Sequence, residues 1–183
     1  MYTYAILLRG INVGGKNKVP MTKLKSCLEE QGFENVTTYM NSGNVLVTSK
    51  LSPRQIQMQL EELLPRKFEL DSSLIKVLVL THDDLSSVIK HAPKSFGDEP
   101  SKYHSDVIFL LGVPPEQALT VFSPKAGIDR IWPGEAVIYS ERLSAQRTKS
   151  RLSKIMGTSI YKSMTIRTWS TTTKLLAMLE TIS

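Results

Sequence analysis

Cysteine is almost missing: Cys27 stands alone among 183 residues. Neither an intrachain disulfide nor a cysteine-cluster metal site can form from it. Aromatic residues are scarce too, at 7 %, and few lie among the basic residues, so a stacking platform for single strands is not evident. No apolar run approaches the ~18 residues that a membrane helix needs. The opening Met1-Tyr2-Thr3-Tyr4-Ala5 lacks a basic leader and a small-residue cleavage site, which argues against a secretory signal. His82, His91 and His104 fall at no zinc-ligand spacing, so no metal site is expected. No G-x-S-x-G elbow occurs and no pair of carboxylates stands out, so no catalytic residue is assigned. These absences point to a cytoplasmic protein without membrane contact and with no cofactor implied.

What is present is positive charge, unevenly spread. The net charge is +6. Residues 1–25 hold Arg9, Lys16, Lys18, Lys23 and Lys25 and no acid, and residues 140–183 hold eight bases against Glu141 and Glu180. The middle of the chain is net acidic. Two basic ends suggest a positive surface if the fold brings them together, or two solvated faces if it does not.

Hydrophobic patterning gives an alternation of strands and helices. Thr3–Arg9 is apolar on both parities and reads as a strand covered on both faces. A loop, Gly10–Pro20, precedes a helix with Leu24, Cys27 and Leu28 on one stripe, ended by Gly32. Two β-rich runs, 33–40 and 45–48, flank Asn41-Ser42-Gly43-Asn44 as a hairpin. Ser52, Pro53 and Gln55 mark the start of a second helix by a capping box. A strand over 73–80 follows, then a short helix capped by Thr81 and Asp84. Residues 93–103, with two prolines and a glycine, read as a linker. The order then recurs: strand 106–113, helix 115–122, hairpin strands 128–132 and 136–140, helix 150–156, strand 164–169, and a helix capped by Thr171. The chain thus reads as α+β, with two tandem ferredoxin-like β-α-β-β-α-β subdomains, each with an added C-terminal helix, at 1–92 and 104–183. In that topology the Gly10–Pro20 loop and the Asn41–Asn44 hairpin share one sheet end.

The segment Gly10-Ile-Asn-Val-Gly-Gly15-Lys16-Asn17 satisfies G-x-x-x-x-G-K up to its last position. There Asn17 stands where a P-loop needs Ser or Thr for magnesium. Pro20 also delays the helix that a P-loop begins at its lysine. A weaker expectation survives, that backbone N–H groups beside basic side chains hold an anion. Arg9, Lys16 and Lys18 would supply charge, Gly14 and Gly15 the backbone, and Asn12, Ser42 and Asn44 hydrogen bonds. Farther on, Arg147, Arg151 and Lys154 fall at i, i+4 and i+7, a basic stripe opposite Leu152, Ile155 and Met156, extended by Arg142 and Lys149. With Arg167 they form a secondary basic patch suited to a nucleic-acid backbone.

The run from Leu7 to Met21, with Gly32-Phe33, Tyr39 and Ser42-Gly43-Asn44-Val45, resembles the bacterial family known as domain of unknown function 1697, DUF1697. Thr165-Ile166-Arg167-Thr168-Trp169-Ser170-Thr171 is similar to that family's T-x-R-N-W-N-T signature, with Thr168 and Ser170 where asparagine is usual. The resemblance implies an α+β fold with ferredoxin-like subdomains, and no particular activity. It marks Arg9, Asn12, Gly14, Gly15, Ser42, Gly43, Asn44 and Arg167, and it counts against an NTPase. The functional expectation is an anion binder for a phosphorylated ligand, with nucleic acid preferred. The alternatives are an enzyme acting on a small phosphorylated metabolite or nucleotide, and a module that meets an acidic protein. Whether there is turnover, and the oligomeric state, are left open.

Overall fold

A computed structural model describes residues 1–71, 73 and 75–182. The fold is α+β, with two four-stranded antiparallel sheets and several helices. In the first sheet the strands are β1 (Tyr2–Arg9), β2 (Glu34–Tyr39), β3 (Asn44–Ser49) and β4 (Lys76–Leu80), in spatial order β2-β3-β1-β4. The unbroken apolar centre of β1 has its reason here: the strand is paired on both edges and Tyr4 to Leu8 are buried. Helices α1 (Met21–Glu30) and α2 (Pro53–Phe68) cover this sheet. Leu24 and Leu28 of α1, with Ile56, Leu60 and Leu64 of α2, join Ile6, Leu8, Val45, Val47 and Val77 in one core. The α2 start is built as the sequence predicts. Gln55 N–H donates to Ser52 Oγ and Ser52 N–H to Gln55 Oε1, a reciprocal capping box. Helix α3 (His82–Lys90) is likewise opened by Thr81 and Asp84, each backbone N–H donating to the other's side chain.

The second sheet contains β5 (Tyr103–Leu110), β6 (Asp129–Pro133), β7 (Val137–Leu143) and β8 (Met164–Thr168), in order β6-β7-β5-β8. Helix α4 (Pro115–Leu119) joins β5 to β6, and α5 (Trp169–Ile182) follows β8. Both β5 and β7 include residues that apolarity alone left out. Tyr103, His104 and Ser105 pair with Leu143, Arg142 and Glu141. The charged Glu141 is tolerated in a strand because its carboxylate is satisfied. It accepts from Gly97 N–H at 3.0 Å and Ser105 Oγ at 2.8 Å, and from Arg130 Nη2. The last helix begins at Trp169, two residues before the predicted cap. Thr168 supplies that cap, its Oγ1 accepting from Thr171 N–H.

The largest departure lies between β7 and β8. The helix predicted over 150–156 is not α-helical. Three short 3-10 helices stand there instead: Ser144–Lys149, Leu152–Gly157 and Ile160–Ser163. Ser144, Ser150, Ser153, Thr158 and Ser159 weaken any continuous helix, since short hydroxyl side chains compete for backbone partners, and Gly157 weakens it through its backbone freedom. Ser150 is extended, and Asp129 Oδ2 accepts the Arg151 N–H at 2.8 Å. Met156, predicted to face inward, is 58 % exposed.

The chain divides into two compact units. One comprises Met1–Leu85 with the C-terminal end from Leu175, the other Ser86–Lys174. The chain passes from one to the other within α3 and again within α5. Residues 93–103, read from composition as a connection, carry buried Phe96, which packs edge-on against Trp132, Tyr139 and Trp169. No helix among the described residues is long and apolar enough to cross a membrane.

Candidate functional site

The Gly10–Pro20 loop folds as a miniature hairpin. Asn12 N–H donates to Asn17 O at 2.9 Å and Lys16 N–H to Val13 O at 3.0 Å. Its two-residue tip is Gly14-Gly15, at φ +57° and +76°. Positive φ at both central residues is the requirement of a type I′ turn, which these glycines meet without strain. The asparagines hold the loop together. Asn12 Oδ1 accepts Val19 N–H at 2.7 Å, while its Nδ2 donates to Val19 O and to Asn41 O at 2.9 Å. Asn17 Nδ2 donates to Gly10 O. The Asn12–Asn41 bond brings the loop against the β2–β3 hairpin.

The predicted ligand groups divide between buried and exposed positions. Asn44 is fully buried and donates to Tyr39 O and Ser42 Oγ, so it shapes the turn. Ser42 is exposed beside it, and Arg9 is half-buried at the end of β1, opposite Lys76. Lys16, Lys18 and the two glycines are exposed. Lys18 also edges an open groove of about 750 Å³ with Lys23, Arg66 and Lys67, between the start of α1 and the end of α2. Lys67 pairs with Glu30 at 3.2 Å and Arg66 with Glu62 at 3.1 Å. Among the described residues neither Lys18 nor Lys23 has an ion-pair partner, and the first turn of α1 contains no acid and no side-chain cap. Cys27, at the same groove, is buried, which pushes its thiol upward.

In the second unit the predicted basic stripe does not form. Arg147 sits in the first 3-10 helix, Arg151 lies between helices and Lys154 is in the second. With about three residues per turn and a break at Ser150–Arg151, i, i+4 and i+7 no longer share a face. All three are exposed. Arg142 belongs to β7, not to the stripe. Arg167 does not join them either. It is buried, donates to Thr165 Oγ1 at 3.1 Å and Ile166 O at 2.8 Å, and burial draws its guanidinium down to about 10.

Sequence reasoning missed a charged cluster on this sheet. On one face, His104 Nε2 lies 3.0 Å from Asp106 Oδ1, and Arg142 Nη1 lies 3.9 Å from Asp106 Oδ2. Burial raises the Asp106 carboxyl despite these opposing charges. Asp129 differs. Burial pushes it up, but the Arg151 N–H, Ser150, the Lys125 N–H and Arg142's charge outweigh that, so it lies below its ordinary value. The available signal was charge inside strands: Asp106 heads an apolar run, and Glu141 and Arg142 follow one. No group of three metal-ligating side chains occurs among the described residues.

The family model described as "Protein of unknown function (DUF1697)" matches residues 1–139. The chain belongs to this family. Among solved structures it is similar to conserved bacterial protein SP0830 from Streptococcus pneumoniae. The two share 29 % identity over 97 % of this chain and 98 % of that one, with a TM-score of 0.83. No curated protein matches. The stretch matched to DUF1697 contains the miniature hairpin, the Asn41–Asn44 turn and Asp106, whereas Arg142, Arg147 and Arg167 lie beyond it.

Proposed function

We propose that this DUF1697 member is a cytoplasmic binding protein for a phosphorylated ligand, with nucleic acid the preferred class, and that each unit is a ferredoxin-like module. The observation that carries the binding reading is the pair of unneutralised cations at the first unit's groove. Lys18 and Lys23 line it beside Arg66 and Lys67 and have no acidic partner among the described residues. The uncapped, acid-free start of α1 adds positive potential there. The loop glycines serve the hairpin's geometry, so in this reading the lysine side chains make the contacts.

The test is fluorescence anisotropy with labelled RNA and DNA, single- and double-stranded, at ~50 mM and ~200 mM salt. Wild-type protein is compared with a Lys18→Ala/Lys23→Ala variant. Binding that weakens by a factor of about ten or more over that range, with a shallower salt slope in the folded variant, supports the reading. No binding at the lower salt overturns the nucleic-acid class. The search then passes to nucleotides and phosphorylated metabolites, where one small ligand would saturate a shallow salt dependence.

A further inference from the structure

We infer that the second unit carries a separate small-molecule site, on the sheet face beneath the 3-10 segment, for a compact organic carboxylate with an apolar body. The segment between β7 and β8 leaves a cleft of about 400 Å³ against the sheet. In the first unit the corresponding segment, between β3 and β4, is the 16-residue helix α2, whose Ile56, Leu60 and Leu64 close over the strands. Three 3-10 pieces of four to six residues do not present such a stripe.

The lining has two chemistries. Ile108, Ile155 and Ile166 make an apolar floor and wall, and Arg142 and Arg147 stand at the polar side with Asp106. Arg142 is the informative residue. Its side chain is 19 % exposed, its only ion pair among the described residues is the 3.9 Å approach to Asp106, and its Nε is buried with no hydrogen-bond partner. A guanidinium offers five donors in a rigid fork, and of Arg142's three nitrogens Nε is the one buried without a partner. Asp106 Oδ1 lies beside His104 and its Oδ2 stays 3.9 Å from Arg142, beyond hydrogen-bonding distance, while Asp129 on the neighbouring strand is Arg142's other acidic neighbour. An anion in the cleft supplies acceptors to the Arg142 Nη groups, and Arg147 adds a second cation at the rim. The planar fork of arginine matches a carboxylate. The isoleucines ask for a hydrocarbon body rather than a bare inorganic ion, and a volume of this size suits a small ligand.

The experiment is an NMR titration of the full, isotopically labelled chain with hexanoate, hexanamide and inorganic phosphate. Saturable shifts at the amides of Ile108, Arg142, Ile155 and Ile166 with hexanoate, and none with hexanamide, are the expected result. Arg142→Gln weakens hexanoate by about 10- to 100-fold, the worth of hydrogen bonds to a charged group, and Arg142→Lys restores part of that. Should Arg142→Gln fail to fold, Arg147→Ala and the mouth-filling Ser153→Phe take its place, and each must weaken hexanoate while the spectrum stays native. Equal binding of hexanoate and hexanamide, binding of phosphate alone, or no saturable shift with hexanoate overturns the proposal. Since Lys18 and Lys23 are not in this cleft, the Lys18→Ala/Lys23→Ala variant must bind hexanoate as wild type does. Loss there would also overturn it.

Discussion

The two units share a strand order and differ in what they bury. In the first, the buried polar residues among those described are Asn44, Thr48 and Ser49, none of them charged. In the second they include Asp106, Asp129, Glu141 and Arg167. Apolar side chains reach one answer in many packings, whereas a buried charge holds only where partners meet it. The first unit is therefore a well-covered sheet whose lysines Lys16, Lys18 and Lys23 stand at the surface, within reach of water. The second has charge in its interior and a cleft where the first has a helix. Similar sheets can thus be closed by helix packing in one place and left open in another.

The largest expected effect that sharpens this contrast is at Glu141. Its carboxylate accepts from Gly97, Ser105 and Arg130 while only 2 % of its side chain is exposed. Glu141→Ala strands those donors and should cost about 3–5 kcal/mol, read as a lower urea midpoint. A cost under about 1 kcal/mol would mean that the charge is incidental to the second unit's stability.

Next come the two covers. Leu60→Ala removes a fully buried side chain under α2, and a loss of about 2–5 kcal/mol is expected. Ile155→Ala, under the 3-10 segment and beside the cleft, should fall at the low end, about 2 kcal/mol, because the space it leaves adjoins an opening already present. Equal losses in urea titrations would show the second cover to be as tightly packed as the first.

The finest test sets Asp129 against Asp106. The Asp129 carboxyl lies lower folded than unfolded, so its ionised form adds stability above about pH 4, lost as pH falls through the folded value. Asp129→Asn should destabilise at neutral pH and match wild type in strong acid. Asp106 is raised, so its ionisation costs stability as pH rises above about 4. Asp106→Asn should therefore change stability in the opposite sense. Parallel profiles from urea midpoints at several pH values would erase the distinction.

Local signals that need only neighbouring residues were legible in the sequence. The Ser52–Gln55 capping box, the Thr81–Asp84 cap, the apolar centre of β1 and the Asn/Gly turn of the first hairpin are examples. The meeting of the Gly-rich loop and that hairpin was legible through topology, and Asn12 bonds to Asn41 there. The candidate site was less so. Gly14 and Gly15 marked a loop with free backbone, but not that Asn12 and Asn17 close a hairpin around them. The spacing of Arg147, Arg151 and Lys154 implied a stripe only on the assumption of 3.6 residues per turn.

The sequence by itself determined the alternation of strands and helices, the family and the segregation of basic residues to the ends. These follow from side-chain period, capping chemistry and composition, which act over a few residues or none. Tertiary structure alone decided that Glu141 and Arg142 lie inside a strand, that 144–163 cover the second sheet as 3-10 turns, and that Arg142 lines a cleft with its Nε buried and unpartnered. The reason is physical: whether a buried charge is satisfied depends on groups such as Gly97, Ser105 and Asp129, which only the folded chain brings within hydrogen-bonding range.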